Sequence, residues 1–408
     1  MEVFIEELRR QLNFKRVMTY VLIAVILSVF WTWFIVGGAT VDFMQTKCYS
    51  NYKGRAAIQA AANDRKGTEG EMTEDKLQKG CDYFLDSLKG KDETSIVMNK
   101  NLLKYTVYAD ILVTQEYKLR NIKGESMKDL LHISKDAGRH FYENEDLYYR
   151  NYINNNAHNE NEKSLALSMW NKVKKPYVYY SGFKEWSDGI SHIMLFSFVL
   201  MIMTGIFAGP IIAKDKESGL DEIIKATAKG RKSLTAAKII IPLIMASIIY
   251  LCGALIYILL LKHFLPRDAL NTSLQVDGTN ILPFTMNEVL SKMFILGWIS
   301  ILTIAAFTVF ISSIAKKSSR AVQISVLTAL GAIMLGVFIN INSKILNLIE
   351  LILPGGAIFS YSQYMDLVKF PITTIMGKTV WMPSLCVVLS IIIFLLSITL
   401  AIVNYIRR

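Results

Sequence analysis

Residues 239–261 read IIIPLIMASIIYLCGALIYILLL, a run without a single charge. A helix at the surface of a soluble protein shows an apolar stripe and a polar face, whereas here apolar residues occupy every side. Five further stretches share that character: Val17–Val36, Ile193–Ala213, Met293–Ala315, Ala321–Ile339 and Leu385–Val403. A hydrocarbon layer about 30 Å thick needs roughly 20 apolar residues in a helix, which carries no unpaired backbone group into lipid. Two or three such runs fit inside a soluble core; six do not. The bulk numbers agree: 408 residues, 52% hydrophobic and a formal charge of +11, with mean hydropathy +0.33. The sequence predicts an all-α polytopic membrane protein with six transmembrane helices.

The flanks of these runs set the orientation. Residues 1–16 carry Arg9, Arg10, Lys15 and Arg16, with Val3, Phe4, Leu8 and Leu12 at helical spacing opposite a charged face. An amphipathic helix of this kind lies in the membrane interface. The apolar run that follows, residues 17–38, is of full spanning length and reads as an anchored helix rather than a cleaved signal. Lys214, Lys216, Lys225, Lys229, Arg231, Lys232 and Lys238 follow the second run, Lys316, Lys317 and Arg320 the fourth, and Arg407 and Arg408 the last. Short cytoplasmic loops accumulate Lys and Arg, so both termini are expected in the cytoplasm of a multi-pass plasma-membrane protein. A basic rim facing anionic lipids accounts for the net charge without nucleic acid. Usage rich in Lys, Asn and Ile points to an AT-rich bacterial genome.

Residues 39–190 then form an extracellular insert, expected to be mainly helical over Leu102–Tyr117 and Met127–Phe141. Asn151–Lys163, a polar low-complexity stretch, reads as a solvated loop. Tyr177, Tyr179, Tyr180, Phe183 and Trp186 read as an aromatic belt at the membrane surface. Cys48 and Cys81 both fall in this insert, where a disulfide would persist; a bridge and a free pair both stay open. Within residues 191–408, the segment 342–382 holds Ile345–Leu353, too short to span, then the break Pro354-Gly355-Gly356. A short apolar run, a break and a second short helix suit a re-entrant hairpin dipping in from outside, where irregular backbone is tolerated only against protein or a wet cavity. Glu350 is an isolated acid there and reads as a side chain snorkelling from a shallow helix end, with an intramembrane functional role as the other reading.

Segment 214–231 is the most informative. Leu220, Ile223, Ile224 and Thr227 recur at i, i+3, i+4 and i+7, acids cluster in the first turn, and Gly230 ends the pattern. Acids at the start suit the helix dipole. The segment resembles the signature of ABC-2 type transporter permeases: Glu217, Gly219, Asp221 or Glu222, Ile223, Ile224, Thr227, Arg231 and Lys238 match position by position. Ala228 stands where that family usually has Pro. The insert is similar to that of the subgroup with a large extracellular domain between the first two spans. The resemblance implies a permease of an ATP-driven exporter, paired as a homo- or heterodimer. It also implies a separate ABC-class ATPase that binds the segment as a coupling helix and holds ATP and Mg. Glu217, Gly219, Asp221, Glu222, Thr227 and Arg231 are then the ATPase-coupling residues.

No catalytic residue and no cofactor of the chain's own is expected. Gly377-Lys378-Thr379 is a fragment of a phosphate loop, but Ile372 stands where its first Gly belongs. The five His residues show no metal-ligand spacing. The competing reading is a membrane-anchored receptor or scaffold acting through residues 39–190, with Glu217–Arg231 a mere connector.

Overall fold

The computed structural model describes residues 2–38, 52–88, 99–123, 133–220, 230–335, 349–365 and 370–407. Helix α1 (Glu2–Gln11) leads into α2 (Phe14–Gly38). The insert follows as α3 (Arg55–Asp64), strand β1 (Gly70–Glu71), α4 (Glu74–Leu88), α5 (Lys100–Lys104), α6 (Thr106–Lys123), α7 (Phe141–Asn156), α8 (Glu160–Trp170) and strand β2 (Val178–Tyr179). The two short strands pair antiparallel, Gly70 opposite Tyr179. The chain returns through α9 (Phe183–Ala208), α10 (Pro210–Glu217), α11 (Gly230–Phe264), α12 (Met286–Ile314) and α13 (Ser318–Ile333). Helix α14 (Ala357–Met365), a hairpin of β3 (Ile372–Ile375) and β4 (Lys378–Trp381), and α15 (Met382–Arg407) complete it.

Among the described residues, five helices are long and apolar enough to cross a membrane: Phe14–Gly38, Phe183–Glu217, Ser233–Phe264, Met286–Ile314 and Met382–Ile406. The remaining apolar run, Ala321–Ile339, starts inside α13, and its residues 336–339 lie outside the described ones. Helix α12 is the centre of the bundle, in contact with α9, α11, α13, α14 and α15, while α2 leans on α11 and α9. A capping box at Thr285 and Glu288 starts α12, satisfying backbone donors a helix otherwise leaves orphaned. Leu22, Ile26 and Trp33 of α2 and Leu395 and Leu396 of α15 are exposed. Such outward apolar faces suit contact with hydrocarbon.

The insert differs from its sequence reading in three places. Asn151–Lys163 is no open loop: α7 runs to Asn156 and α8 restarts at Glu160, with Asn159 capping Glu162 N at 2.9 Å. Residues 133–140 form turns, not a helix, and residues 127–132 lie outside the described ones. Ser134 bonds Asp136 there, and Ala137 N reaches Ser134 O at 3.1 Å, the local bonding that competes with helix. Tyr177, Tyr179, Phe183 and Trp186 are buried in the protein rather than spread as a surface belt. Their hydroxyl and indole groups find partners: Tyr177 on Glu145, Tyr179 on Ser181, and Trp186 on the Pro266 carbonyl.

The insert is tied to one end of the bundle. Val178 N donates to Ser273 Oγ and Ser273 N to Val178 O, each at 2.9 Å. Asn159 Nδ2 donates to Thr374 Oγ1 at 2.9 Å, so α8 rests on the β3–β4 hairpin. Its turn is Met376-Gly377, at φ 50° and 76°, and Gly377-Lys378-Thr379 is therefore hairpin geometry rather than a phosphate loop.

Candidate functional site

The opposite end of the bundle gathers the basic segments. Pro210 opens α10 directly after Gly209, and a proline both lacks an N–H and disturbs the turn before it. Ser312 of α12 repairs the break. Its Oγ accepts from Ile212 N at 3.1 Å and Ala213 N at 2.9 Å and donates to Gly209 O at 2.6 Å. One buried hydroxyl thus splices α9–α10 to α12.

Helix α10 ends with Gly219 at φ 73°. Ser218 N returns to Lys214 O at 3.1 Å and Gly219 N to Lys216 O at 3.2 Å. A left-handed residue after the last turn is the usual way to satisfy terminal carbonyls, and glycine adopts it without a Cβ penalty. The Glu-x-Gly spacing is therefore a helix stop. Glu217, just before it, does not point free into solvent: its Oε2 accepts from Ser318 N at 3.1 Å and Ser318 Oγ at 2.9 Å. The carboxylate caps the start of α13, where negative charge is favoured. Lys216 Nζ donates to the Ser313 carbonyl in the same connection.

Behind this edge lies a buried ion network that joins three elements. Lys238 is 0% exposed. Its ammonium donates to Glu7 Oε1 at 2.8 Å, to Asp215 Oδ2 and, at 2.7 Å, to the Ile211 carbonyl. Arg10 completes the ring, 2.8 Å from Glu7 and 2.9 Å from Asp215. Burial alone would raise the Glu7 pKa, but the Lys238 charge and hydrogen bonds from Lys238, Arg10 and Gln11 hold it below the ordinary glutamate range. Burial pulls the Arg10 pKa down while Asp215 and Glu7 lift it, with a net rise. Two acids and two bases cancel here, which is how charges survive out of water.

The network brackets segment 214–231: Asp215 stands at its start and Lys238 just past its end. Of the sequence-predicted coupling residues, Glu217 and Gly219 are where described above. Asp221, Glu222 and Thr227 lie outside the described residues, and Arg231 falls in the first turn of α11 with only its backbone described. Asp215, Glu7 and Arg10 escape the sequence reading as partners. One signal was present: Glu7 falls on the apolar stripe of α1, four residues after Val3 and three after Phe4, where an acid needs an explanation.

The other predicted positions are separate from this end. Cys81 is a free, buried thiol 3.3 Å from Ser134 O; burial pushes its pKa up to about 11. Cys48, its candidate partner, lies outside the described residues. Pro354-Gly355-Gly356 forms a turn ahead of α14, with Gly355 at φ 81°. A Cβ built there would stand 2.9 Å from Met201 Sδ and 3.8 Å from Ile304 Cβ. Glu350 is 2% exposed and accepts from Ser360 Oγ at 2.5 Å. It is enclosed by protein rather than exposed as a snorkelling side chain would be, and the turn beside it packs on Met201 of α9 and Ile304 of α12. Among the described residues no group of three or more His, Cys, Asp or Glu side chains is arranged to hold a metal ion.

No curated protein matches the chain. The family described as "ABC-2 family transporter protein" matches residues 73–401. That stretch takes in most of the insert, the bracketed segment and the long apolar helices from α9 onward. The chain belongs to the ABC-2 transporter family, as a membrane permease.

Proposed function

We propose that the chain is the membrane subunit of an ATP-driven exporter, with both termini and segment 214–231 in the cytoplasm and residues 39–190 outside. A separate ABC-class ATPase, holding ATP and Mg, docks on that segment, and a second permease, identical or related, completes the path. The cargo is a peptide, an antibiotic, a lipid-like molecule or an ion. The observation that carries the reading is the bracketing of the segment. A push on it reaches α9–α10 through Asp215, α11 and α1 through Lys238 and Glu7, and α13 through Glu217. Rigid elements joined by such contacts move together.

Two finer features of the architecture find support in the geometry. Ile304, which the Gly355 turn approaches, lies eighteen residues along α12 from Met286. At about 1.5 Å per residue that is roughly 27 Å, a depth suited to a re-entrant hairpin. Helix α13, which holds most of the apolar run Ala321–Ile339, is the candidate for a sixth crossing.

Purified in mild detergent, the chain should bring an ATPase with it. Glu222→Lys should then lower the ATP turnover of the complex about tenfold, the effect of roughly 1.4 kcal/mol of lost coupling. Undiminished turnover in a complex of normal composition removes the docking assignment from segment 214–231.

A further inference from the structure

The connection between α12 and α13 reads Ala315-Lys316-Lys317-Ser318-Ser319-Arg320. Its upstream half is extended: Ala315 has φ −66° and ψ 141°, and Lys317 has φ −126° and ψ 140°. Lys316, Lys317, Ser319 and Arg320 are exposed, and Ser318 is partly buried. Lys317 stands at the N-cap of α13, and its side chain makes no cap bond. The first turn is served from another element instead: Glu217 Oε2 accepts from Ser318 N at 3.1 Å and from Ser318 Oγ at 2.9 Å. One serine hydroxyl thus joins the end of α10, inside segment 214–231, to the start of α13.

Two lysines before a serine and an arginine after it, on extended and exposed backbone, form the kind of substrate that a base-directed protein kinase reads. A phosphoserine carries a charge of about −1.5 to −2 and three strong acceptor oxygens. Formed on Ser318 Oγ, it removes the proton that Glu217 accepts and sets a phosphate beside that carboxylate. Phosphate next to Asp or Glu disrupts a contact by like-charge repulsion. Lys317 and Lys214 already act on the Glu217 carboxylate, so the same two ammonium groups are at hand to answer the phosphate when the carboxylate leaves.

We propose that Ser318 is a phosphorylation site, and that its modification uncouples segment 214–231 from α13. The site rests on the exporter reading, which sets this connection in the cytoplasm with ATP and kinases. In the step, a serine kinase passes the γ-phosphoryl group of ATP to Ser318 Oγ. The new P–O bond forms as the γ-phosphorus parts from the β–γ bridging oxygen, ADP leaves, and the hydroxyl proton passes to the kinase's base. Before the step a push on the segment reaches α13 through Glu217; after it that path is open, and ATP turnover falls.

The test starts from the full chain in complex with its ATPase, purified from growing and from stationary cells, with the peptide that spans Ser318 read by mass. Phosphate on Ser318 is expected in part of the chains. Turnover is then compared between Ser318→Asp, which supplies a fixed negative charge, and Ser318→Asn, which is neutral and keeps an N–H for Glu217. Ser318→Asp should turn ATP over about fivefold more slowly than Ser318→Asn, the size of one exposed charge contact. Adding Glu217→Gln to Ser318→Asp should return turnover to the Ser318→Asn level, because one side of the repulsion is then gone. A Ser318 peptide without phosphate in both cultures, phosphate confined to Ser319, equal turnover of the two variants, or no recovery on adding Glu217→Gln overturns the site. If the ATPase still co-purifies in that event, the phosphorylation site falls and the permease reading stands. A chain that brings no ATPase strikes the permease reading, and the site with it.

Discussion

Asp215 and Glu350 are both buried acids of the helical bundle, yet their neighbours differ in kind. Asp215 meets Lys238 and Arg10, and Glu7 meets the same two bases. Glu350 accepts from a serine hydroxyl across a glycine turn. In the first cluster every charge is answered by a charge from another element, so the electrostatics act as a fastener for α1, α10 and α11. In the second the bond from Ser360 ties the acid to the helix that follows its own turn. Burial of an acid does not by itself say what the acid holds together; the chemistry and the origin of what faces it do.

The largest expected effect is at the joint. Lys238→Met leaves Arg10 alone against Asp215 and Glu7, one uncompensated buried charge, and breaking one member of a buried ion network costs about 3–5 kcal/mol. Thermal unfolding of the detergent-solubilised chain measures it. Lys238→Met combined with Glu7→Gln should recover much of the loss, since Arg10 and Asp215 then remain as a neutral pair. A single-variant loss below about 1 kcal/mol, the range of surface ion pairs, would erase the contrast between the two clusters.

Glycine turns flank the two regions and sharpen the comparison. Gly219 and Gly355 both take left-handed backbone, at φ 73° and 81°. A Cβ on Gly219 meets nothing within 4 Å, so Gly219→Ala carries only the backbone penalty, about 1 kcal/mol. Gly355→Ala adds a collision with Met201 Sδ and should cost about 3 kcal/mol once overpacking is included. Equal losses at the two positions would mean that the Gly355 turn is not seated between α9 and α12. Unfolding midpoints of the two variants, measured side by side, decide the matter.

How much of this was legible in the sequence follows from the range of each signal. A bilayer imposes its demand locally, on each run of about 20 residues, so the long apolar helices stand out in one dimension. The Glu-x-Gly stop at Glu217 and Gly219 is local too. Lys238 and Glu7, by contrast, meet across most of the bundle's sequence, and no spacing rule connects them. Asn151–Lys163 misled because its polar composition hides Ile153, a fully buried residue that holds the end of α7. The aromatic run at Tyr177–Trp186 misled for the opposite reason: its residues suit a membrane surface and a protein core equally well. Glu350 stood out as an isolated acid, but its depth depends on where the Gly355 turn packs, which is a tertiary fact.

The smallest expected effect is the most discriminating. Glu350→Gln keeps an oxygen that can accept from Ser360 and nearly the same volume, and it removes a charge whose burial is costly. Stability should therefore stay within about 1 kcal/mol of the wild type, the net worth of a typical hydrogen bond, and a slight gain is consistent with relief of a buried charge. Thermal unfolding in detergent checks this. A loss of the size expected for Lys238→Met would identify Glu350 as a second structural joint, and the two acids would then differ in position only.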